Sequence, residues 1–416
     1  MNVLERSAQQ SAAEFAAVRL GPPDVEAFAR AVLGHVAEPG DGVLGRAIDA
    51  LGASRVAEML LGRVGGGVLS DAVMEAGGAL DEREARTGLE RWLPRLEHSA
   101  FVRSIAQAAR VGATFVVPGD PAWPGQFDEL GVHAPIGIWV RGRSDALARG
   151  ARSMALVGAR AATGYGEHVA MEASAGLVDR GFTIVSGGAY GIDGMAHRAA
   201  LASSGTTVAF LAGGVDRFYP LGHETLLTRI AETGAVMSEV PCGTAPTKWR
   251  FLQRNRLIAA AAGATVVLEA GIRSGSLNTA GHAASLGRPL GAVPGPVTSP
   301  ASAGCHRLLR EFAAVCVVDA DQMAELVGVS RVISGADAIG SELSPDVSRV
   351  MDALSTRSPR AIDDLARRTG MSVHEVMAVL GVLELSGAVV RHPDGWTRPR
   401  SSRQARDGGS GAAAAP

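Results

Sequence analysis

The sequence predicts an α/β fold: an extended Rossmann-like, doubly wound and mostly parallel sheet, with a small helical N-terminal domain and a C-terminal winged helix. Three observations carry this expectation. Short apolar runs alternate with amphipathic segments from Met154 to Val318. The runs are apolar throughout rather than at every second position, as in strands covered on both faces. Glycine-rich turns close several of them, at the strand ends where such sheets bind their ligands.

The elements follow in order. Residues 1–22 read as a disordered lead. Over 23–112 the pattern is helical: PDVEAFARAVLGHV, GVLGRAIDALG and ASRVAEMLLGRV carry apolar residues at i, i+3 and i+4 between Gly- and Asp-bearing turns. This domain offers no chemistry and reads as an inert cap or a helix–hairpin–helix-like module. The sheet domain is expected over 113–327. It opens with TFVVPGDPAWPGQF and PIGIWVRG, apolar segments broken by prolines. The strands expected next are MALVGA (154–159), FTIVSG (182–187), TTVAFLAG (206–213), AVMSEV (235–240), TVVLEA (265–270), PLGAVPG (289–295) and AVCVV (314–318), with helices between them. Residues 328–345 lack any period and read as a linker. Over 346–398 three short helical patterns precede AVVRHPDGWTR, a hairpin with Asp394–Gly395 at its turn, which outlines a winged helix. Residues 399–416 read as a disordered tail.

Composition narrows the function. With 47% hydrophobic and 20% charged residues among 416, the chain is globular rather than disordered. Its formal net charge is -2, so an anion site must be a local patch. Cys242, Cys305 and Cys316 form no CxxC pair, which argues against a zinc ribbon, an iron–sulfur cluster or a disulfide scaffold. No apolar run reaches the roughly 18 residues that a membrane span needs, and the N-terminus lacks a signal-peptide pattern. The expectation is a cytoplasmic protein with no membrane partner and no cofactor or metal. Of 40 basic residues 39 are arginine, and Lys248 is the one lysine.

Four turns attract attention. VGARAATGYGEH places glycines at 158, 164 and 166, which is not the GxGxxG fingerprint, and the next strand ends in Ser186–Gly187–Gly188 without the ribose-binding acid. A dinucleotide enzyme is thereby disfavoured. The first turn suits an isolated phosphate neutralised by Arg160, although its glycines equally suit a tight turn. In SGGAYGIDGMAH, Asp193 and His197 sit four residues apart, and a structural Asp–His contact is expected rather than a metal or acid–base pair. PTKWRFLQRNRLIAAA brings Lys248, Arg250, Arg254 and Arg256 together, with Trp249 and Phe251 interleaved. From Val240 to Arg310 there are eight basic residues against one acid, Glu269, which fits a nucleic-acid groove. Arg254 and Arg256 are expected to face solvent. The fourth turn, Ser274–Gly275–Ser276 beside Arg273, opens a helix and makes another anion seat. Several phosphate seats on one sheet imply a polymer backbone. No turn offers a nucleophile beside a base, a GxSxG elbow, a Walker lysine or a metal-ligand cluster, so binding without catalysis is expected.

Taken in order, VGARAATGYG, VSGGAYGIDGMAH, AGGVDRFYP, SEVPCGTAPTKWRFLQRNRLIAAAA, VVLEAGIRSGSLNTAGHA and AVPGPV resemble the DNA-processing protein A family (DprA, also called Smf). The resemblance is strong over about 155–325 and moderate over 114–142. It implies a single-stranded DNA binder that loads the RecA recombinase during natural transformation. It also implies a DNA groove lined by Arg160, by Ser186, Gly187 and Gly188, by Lys248 with Arg254 and Arg256, and by Ser274, Gly275 and Ser276; the basic cluster and the fourth turn add Arg250, Asn255 and Arg273 to the expected groove. A homodimer through residues 290–320 is expected from the resemblance and from apolar Leu308, Leu309 and Phe312. Leu221 stands where the family often has a basic residue, and Phe312 where it tends to have glycine. Two other readings compete. A phosphoribohydrolase-like enzyme needs a PGGxGT loop, which neither LAGGVDR nor AVPGPV matches. A winged-helix regulator is weakened by Asp363, Asp364, Glu375 and Glu384, which offset Arg367 and Arg368.

Overall fold

The computed structural model describes residues 12–19, 24–147, 152–328, 345–385 and 387–399. The rest of the expected lead, nearly all of the expected linker and all but the first residue of the expected tail lie outside the described residues. The chain forms two compact units, residues 1–330 and 331–416.

In the first unit a nine-stranded sheet is built from β1 (Ala113–Val116), β2 (Ile138–Gly142), β3 (Ser153–Gly158), β4 (Thr183–Ser186), β5 (Thr207–Phe210), β6 (Ala235–Ser238), β7 (Ala264–Glu269), β8 (Leu290–Ala292) and β9 (Val315–Cys316). Its order is β1-β2-β6-β5-β4-β3-β7-β8-β9. The seven strands from β3 onward are parallel, and β1 and β2 extend the β6 edge antiparallel. β3 through β7 are almost wholly buried, which is why they read as unbroken apolar runs. The chain winds outward from β3 to β6, then returns to β7 on the other side of β3. That reversal leaves a crevice at the carboxyl ends of β3 and β7.

Helices before the sheet comprise α1 (Ala12–Ala16), α2 (Val25–Val36), α3 (Gly42–Leu51), α4 (Ala53–Leu61), α5 (Gly66–Glu75), α6 (Glu82–Trp92) and α7 (His98–Arg110). Asp24, Asp41 and Asp81 cap three of them, the last through a reciprocal capping box with Glu84. Two expectations change here. Residues 12–19 of the lead are ordered, because Phe15 and Val18 are buried and Arg19 pairs with Asp120 at 2.7 Å. The helical region is also continuous with the sheet. Phe28, Leu33, Trp92 and Phe101 share one core with Leu211, Leu227 and Val236.

Around the sheet lie α8 (Gly164–Asp179), α9 (Ile192–Ala202), α10 (Glu224–Thr233), α11 (Lys248–Ala261), α12 (Ser276–Ser285), α13 (Ala303–Glu311) and α14 (Ala320–Glu325). Thr247 caps α11 by accepting from the Arg250 N–H, and this fixes where the basic helix begins. The second unit holds α15 (Pro345–Ala353), α16 (Ile362–Thr369), α17 (Val373–Leu385) and the hairpin β10 (Val390–His392)–β11 (Gly395–Thr397), a winged helix around Leu365, Val376, Leu380 and Trp396. The hairpin turn is Pro393–Asp394 rather than Asp394–Gly395, since His392 pairs with Gly395. Gly395 has a φ of 138° and lies so close to the Arg360 carbonyl that a Cβ would fall 2.2 Å from it.

Candidate nucleic-acid interface

The crevice is a cavity of about 920 Å³ walled by the loop after β3, the first two turns of α11 and the turn before α12. Arg160, Lys248 and Arg273 stand exposed on its three sides. None of them has an ion-pair or hydrogen-bond partner among the described residues. The Arg160 guanidinium lies 5.0 Å from the Phe251 ring centroid, and Tyr219 packs against the same ring at 5.7 Å. Aromatic faces and unpaired cations therefore share one wall. Arg160 is held in place from below. The buried Glu269 carboxylate accepts from the Thr163 N–H at 2.8 Å and from its hydroxyl at 2.6 Å, so the one acid of the basic segment anchors the first loop.

The RNR block behaves differently from the sequence expectation. Arg254 is only 6% exposed and donates to the Gly187 carbonyl at 2.7 Å and to the Phe210 carbonyl. Burial lowers its pKa to about 10, against the opposing pull of Asp193, and the charge of Arg160 lowers it further. It remains cationic at neutral pH beneath the crevice it lines. Arg256 is 3% exposed and points away from the cavity, donating to the His133 carbonyl at 2.9 Å and pairing with Glu239 at 2.8 Å. Neither faces solvent, because acids and carbonyls distant in sequence close over them. Arg250 likewise pairs with Glu38 of the α2–α3 connection at 2.8 Å. Asn255 accepts from Arg254 and donates to Asn278 at 3.2 Å, which staples α11 to α12.

The Ser186–Gly187–Gly188 turn is also buried rather than an open cradle. The Ser186 hydroxyl donates to the Leu156 carbonyl at 2.6 Å, and the Gly187 N–H donates to Asp193 at 3.1 Å. His223 Nδ1–H donates to the Gly188 carbonyl at 3.0 Å. A Cβ at Gly187 would lie 2.6 Å from the Arg254 guanidinium, so glycine is what lets that arginine seat. Asp193 and His197 do not form the expected contact. Asp193 takes backbone N–H groups, while His197 Nδ1–H donates to the Thr207 hydroxyl at 2.7 Å. Burial pushes the Asp193 carboxyl up, countered by Arg254, and holds the His197 imidazole down at about 3.

The fourth turn does line the cavity. Ser274 and Ser276 share a hydrogen bond of 2.7 Å, Gly275 is exposed at the N-cap of α12, and Arg273 projects beside it. Of the thirteen residues expected in the groove, Arg160, Lys248, Arg254, Asn255, Arg273, Ser274, Gly275 and Ser276 meet at the crevice. Ser186, Gly187, Gly188, Arg250 and Arg256 support it from outside. Sequence reasoning missed Tyr219 as a wall residue, Glu38 and Glu239 as the acids that pair with Arg250 and Arg256, and Glu269 as the anchor of the first loop. Among the described residues, no three His, Cys, Asp or Glu side chains are placed to hold a metal, and no helix is long and apolar enough to cross a membrane.

Fold and crevice together define a Rossmann-like α/β protein with a cleft lined by exposed cations at its switch point, carried with a winged helix. The chain belongs to the DNA recombination-mediator protein A family, whose model matches residues 114–328, and a DprA winged helix domain matches residues 335–395. A Mycobacterium tuberculosis protein described as a DNA processing protein DprA is 45% identical over 323 residues, covering 72% of this chain and 82% of its own. Protein Smf of Escherichia coli is 35% identical over 260 residues, or 61% of this chain and 69% of its own. The X-ray structure of DNA processing protein A from Streptococcus pneumoniae superposes with a TM-score of 0.58 at 26% identity, covering 72% of this chain and 96% of that one.

Proposed function

We propose that this protein binds single-stranded DNA along the crevice, without catalysis, and hands the strand to the RecA recombinase in DNA processing and homologous recombination. The observation that carries this reading is the trio Arg160, Lys248 and Arg273, exposed and without an ion-pair partner among the described residues, around one cavity beside the Phe251 and Tyr219 rings. Unpaired cations meet phosphates, aromatic faces take bases, and neither reads sequence. Single strands are preferred because an intact duplex keeps its bases stacked away from such rings. Membership of a recombination-mediator family supports the same assignment. The proposed phosphate contacts are the trio with Ser274, Gly275 and Ser276, while Arg254 lends charge from below and Arg250, Asn255, Arg256, Ser186, Gly187 and Gly188 hold the walls.

The test is a gel shift comparing single-stranded with blunt duplex DNA at two salt concentrations, alongside a nucleotide hydrolysis assay. Tighter, sequence-independent and salt-sensitive binding of single strands with no hydrolysis is expected. Equal affinity for both DNA forms overturns the reading, and turnover of a nucleotide would favour the phosphoribohydrolase-like alternative. RecA loading is tested by adding the protein to RecA and single strands already coated with a single-strand-binding protein, where faster filament growth is expected.

We also propose a homodimer, through the β9 edge. Leu308 is buried in the chain's own core and Leu309 packs beside it, so the contact falls to Phe312, Val315 and Val318. These are 41%, 52% and 58% exposed on and beside a strand whose outer edge is unpaired. Sedimentation at micromolar concentration, with and without DNA, checks this. Monomer alone in both conditions refutes it.

A further inference from the structure

A second basic pocket lies where the helical region meets the sheet. It encloses about 440 Å³ and is lined by Arg103, Gln107 and Arg110 of α7, by His35 of α2, and by Arg217 and Thr244 from the loops after β5 and β6. Arg103, Gln107 and Arg110 are spaced i, i+4, i+7, so one face of α7 presents them together. All three arginines are exposed. Arg103 reaches Glu97 only at 3.9 Å in an exposed pair, Arg110 bonds the neutral Gln107, and Arg217 has no ion-pair partner among the described residues. The one carboxylate in the lining, Asp216, accepts from the Gly243 N–H at 2.9 Å. His35 Nδ1 is buried there with no hydrogen-bond partner among the described residues. The floor is pinned across the seam, since the buried Ser104 hydroxyl donates to the Cys242 carbonyl at 2.9 Å.

This pocket adjoins the crevice along two chain segments. Arg217 lines the pocket and Tyr219 the crevice, while Thr244 lines the pocket and Pro246 the crevice. Two residues span at most about 7 Å, so the sites follow one another along the carboxyl edge of the sheet. We infer that Arg103, Arg110 and Arg217 form a second phosphate seat, which receives the same single strand after it leaves the crevice over Tyr219. The inference rests on the proposed function of the crevice and extends it. It makes the helical region part of the DNA track rather than an inert cap.

The experiment uses the full-length protein with Arg103→Ser, Arg110→Ser and Arg217→Ser combined, titrated with oligothymidylates of about 3 and about 30 nucleotides, the shorter confined to one seat and the longer spanning both. Against the long strand, affinity should fall roughly tenfold or more near physiological salt, and the salt slope should become shallower by about 2, or about 0.7 per lost contact. Binding of the short strand should stay at the wild-type value. Unchanged affinity and slope on the long strand overturn the inference. Equal weakening on both lengths also overturns it, because a global loss of charge, not a second seat, then accounts for the effect. Arg160→Ala is run in parallel and should weaken both lengths. If it weakens neither, the crevice reading itself has failed, a result distinct from anything the triple variant reports.

Discussion

The mouth and the floor of the crevice carry the same kind of charge for opposite purposes. At the mouth, Arg160, Lys248 and Arg273 are exposed and without an ion-pair partner among the described residues, so they add little to folding and are free to meet an anion. On the floor and behind it, Arg254 and Arg256 are at most 6% exposed and spend their N–H groups on carbonyls and, for Arg256, on Glu239. Lys248 and Arg254 lie less than two turns apart on α11. What separates them is the neighbourhood, not the side chain. A buried cation is costly unless every donor is used, whereas an exposed one costs nothing and gains little until a ligand arrives.

The comparison breaks most decisively at Arg256. Replacing it with Met leaves the Glu239 carboxylate almost buried without its guanidinium, and stability should fall by roughly 3–5 kcal/mol in urea unfolding. Arg254→Met should cost as much, since two buried carbonyls lose their donor. The Arg256 variant, where it still folds, should keep the wild-type salt slope for single strands. If it melts like the wild type yet binds poorly, Arg256 belongs to the mouth.

A second large effect comes from His197, buried where α9 packs on the start of β5. Its folded pKa of about 3 lies below the 6.5 of a free imidazole. Between those values the unfolded chain takes up a proton that the folded chain refuses. Stability is therefore whole above about pH 6.5 and declines as pH falls toward 3, by up to about 1.4 kcal/mol per pH unit. Asn at this position keeps a donor near Thr207 and removes the titration. The slope of unfolding free energy between pH 6 and 4 should flatten in His197→Asn, whatever its baseline stability. An identical slope would assign the acid sensitivity to other groups.

Much of the fold was legible because strand burial leaves a local imprint. Five of the seven parallel strands fall inside their apolar runs, and β3 and β7 begin one residue earlier. Thr247 marks the start of α11 in the sequence itself. The crevice was half legible. Arg160 and Arg273 fall in turns bearing glycine or serine and Lys248 opens the basic helix, and all three line one cavity. Arg254 and Arg256 could not be placed from pattern, since Gly187, Phe210, His133 and Glu239 are brought to them only by the tertiary fold. The excess of positive charge from Val240 to Arg310 misled for the same reason. Glu38, Glu239 and Glu129 arrive from outside that segment to pair with Arg250, Arg256 and Arg288. Charge counts along a chain say little about charge at a surface.

Between floor and mouth sits Gly187, which carries no charge but sets the height of Arg254. In Gly187→Ala the new Cβ would fall 2.6 Å from the guanidinium, so the arginine must shift and strain its bonds to the two carbonyls. A loss of about 1–3 kcal/mol is expected, smaller than deleting the charge because the side chain survives. Binding should weaken at the same time, since Arg254 lines the cavity. A stability loss with unaltered binding would confine Arg254 to a structural role.

The smallest effects on folding should come from the mouth, and they sharpen the contrast best. Arg160→Ala, Lys248→Ala and Arg273→Ala each remove an exposed side chain without an ion-pair partner among the described residues, so each should change stability by no more than about 0.5 kcal/mol. Arg160→Ala also gives up its contact with the Phe251 ring, which places it at the upper end of that range. Binding should respond quite differently. Each lost phosphate contact keeps one set of counterions on the DNA, so the slope of log affinity against log salt should become shallower by about 0.7 per variant, on every sequence tested. The three sites stand on different elements around one cavity, and their effects on the slope should add to about 2 in the triple variant. Slopes measured by fluorescence anisotropy over a range of salt, with melting curves on the same samples, read both quantities. If the triple variant instead loses several kcal/mol of stability while its slope holds, mouth and floor do the same work and the distinction drawn between them fails.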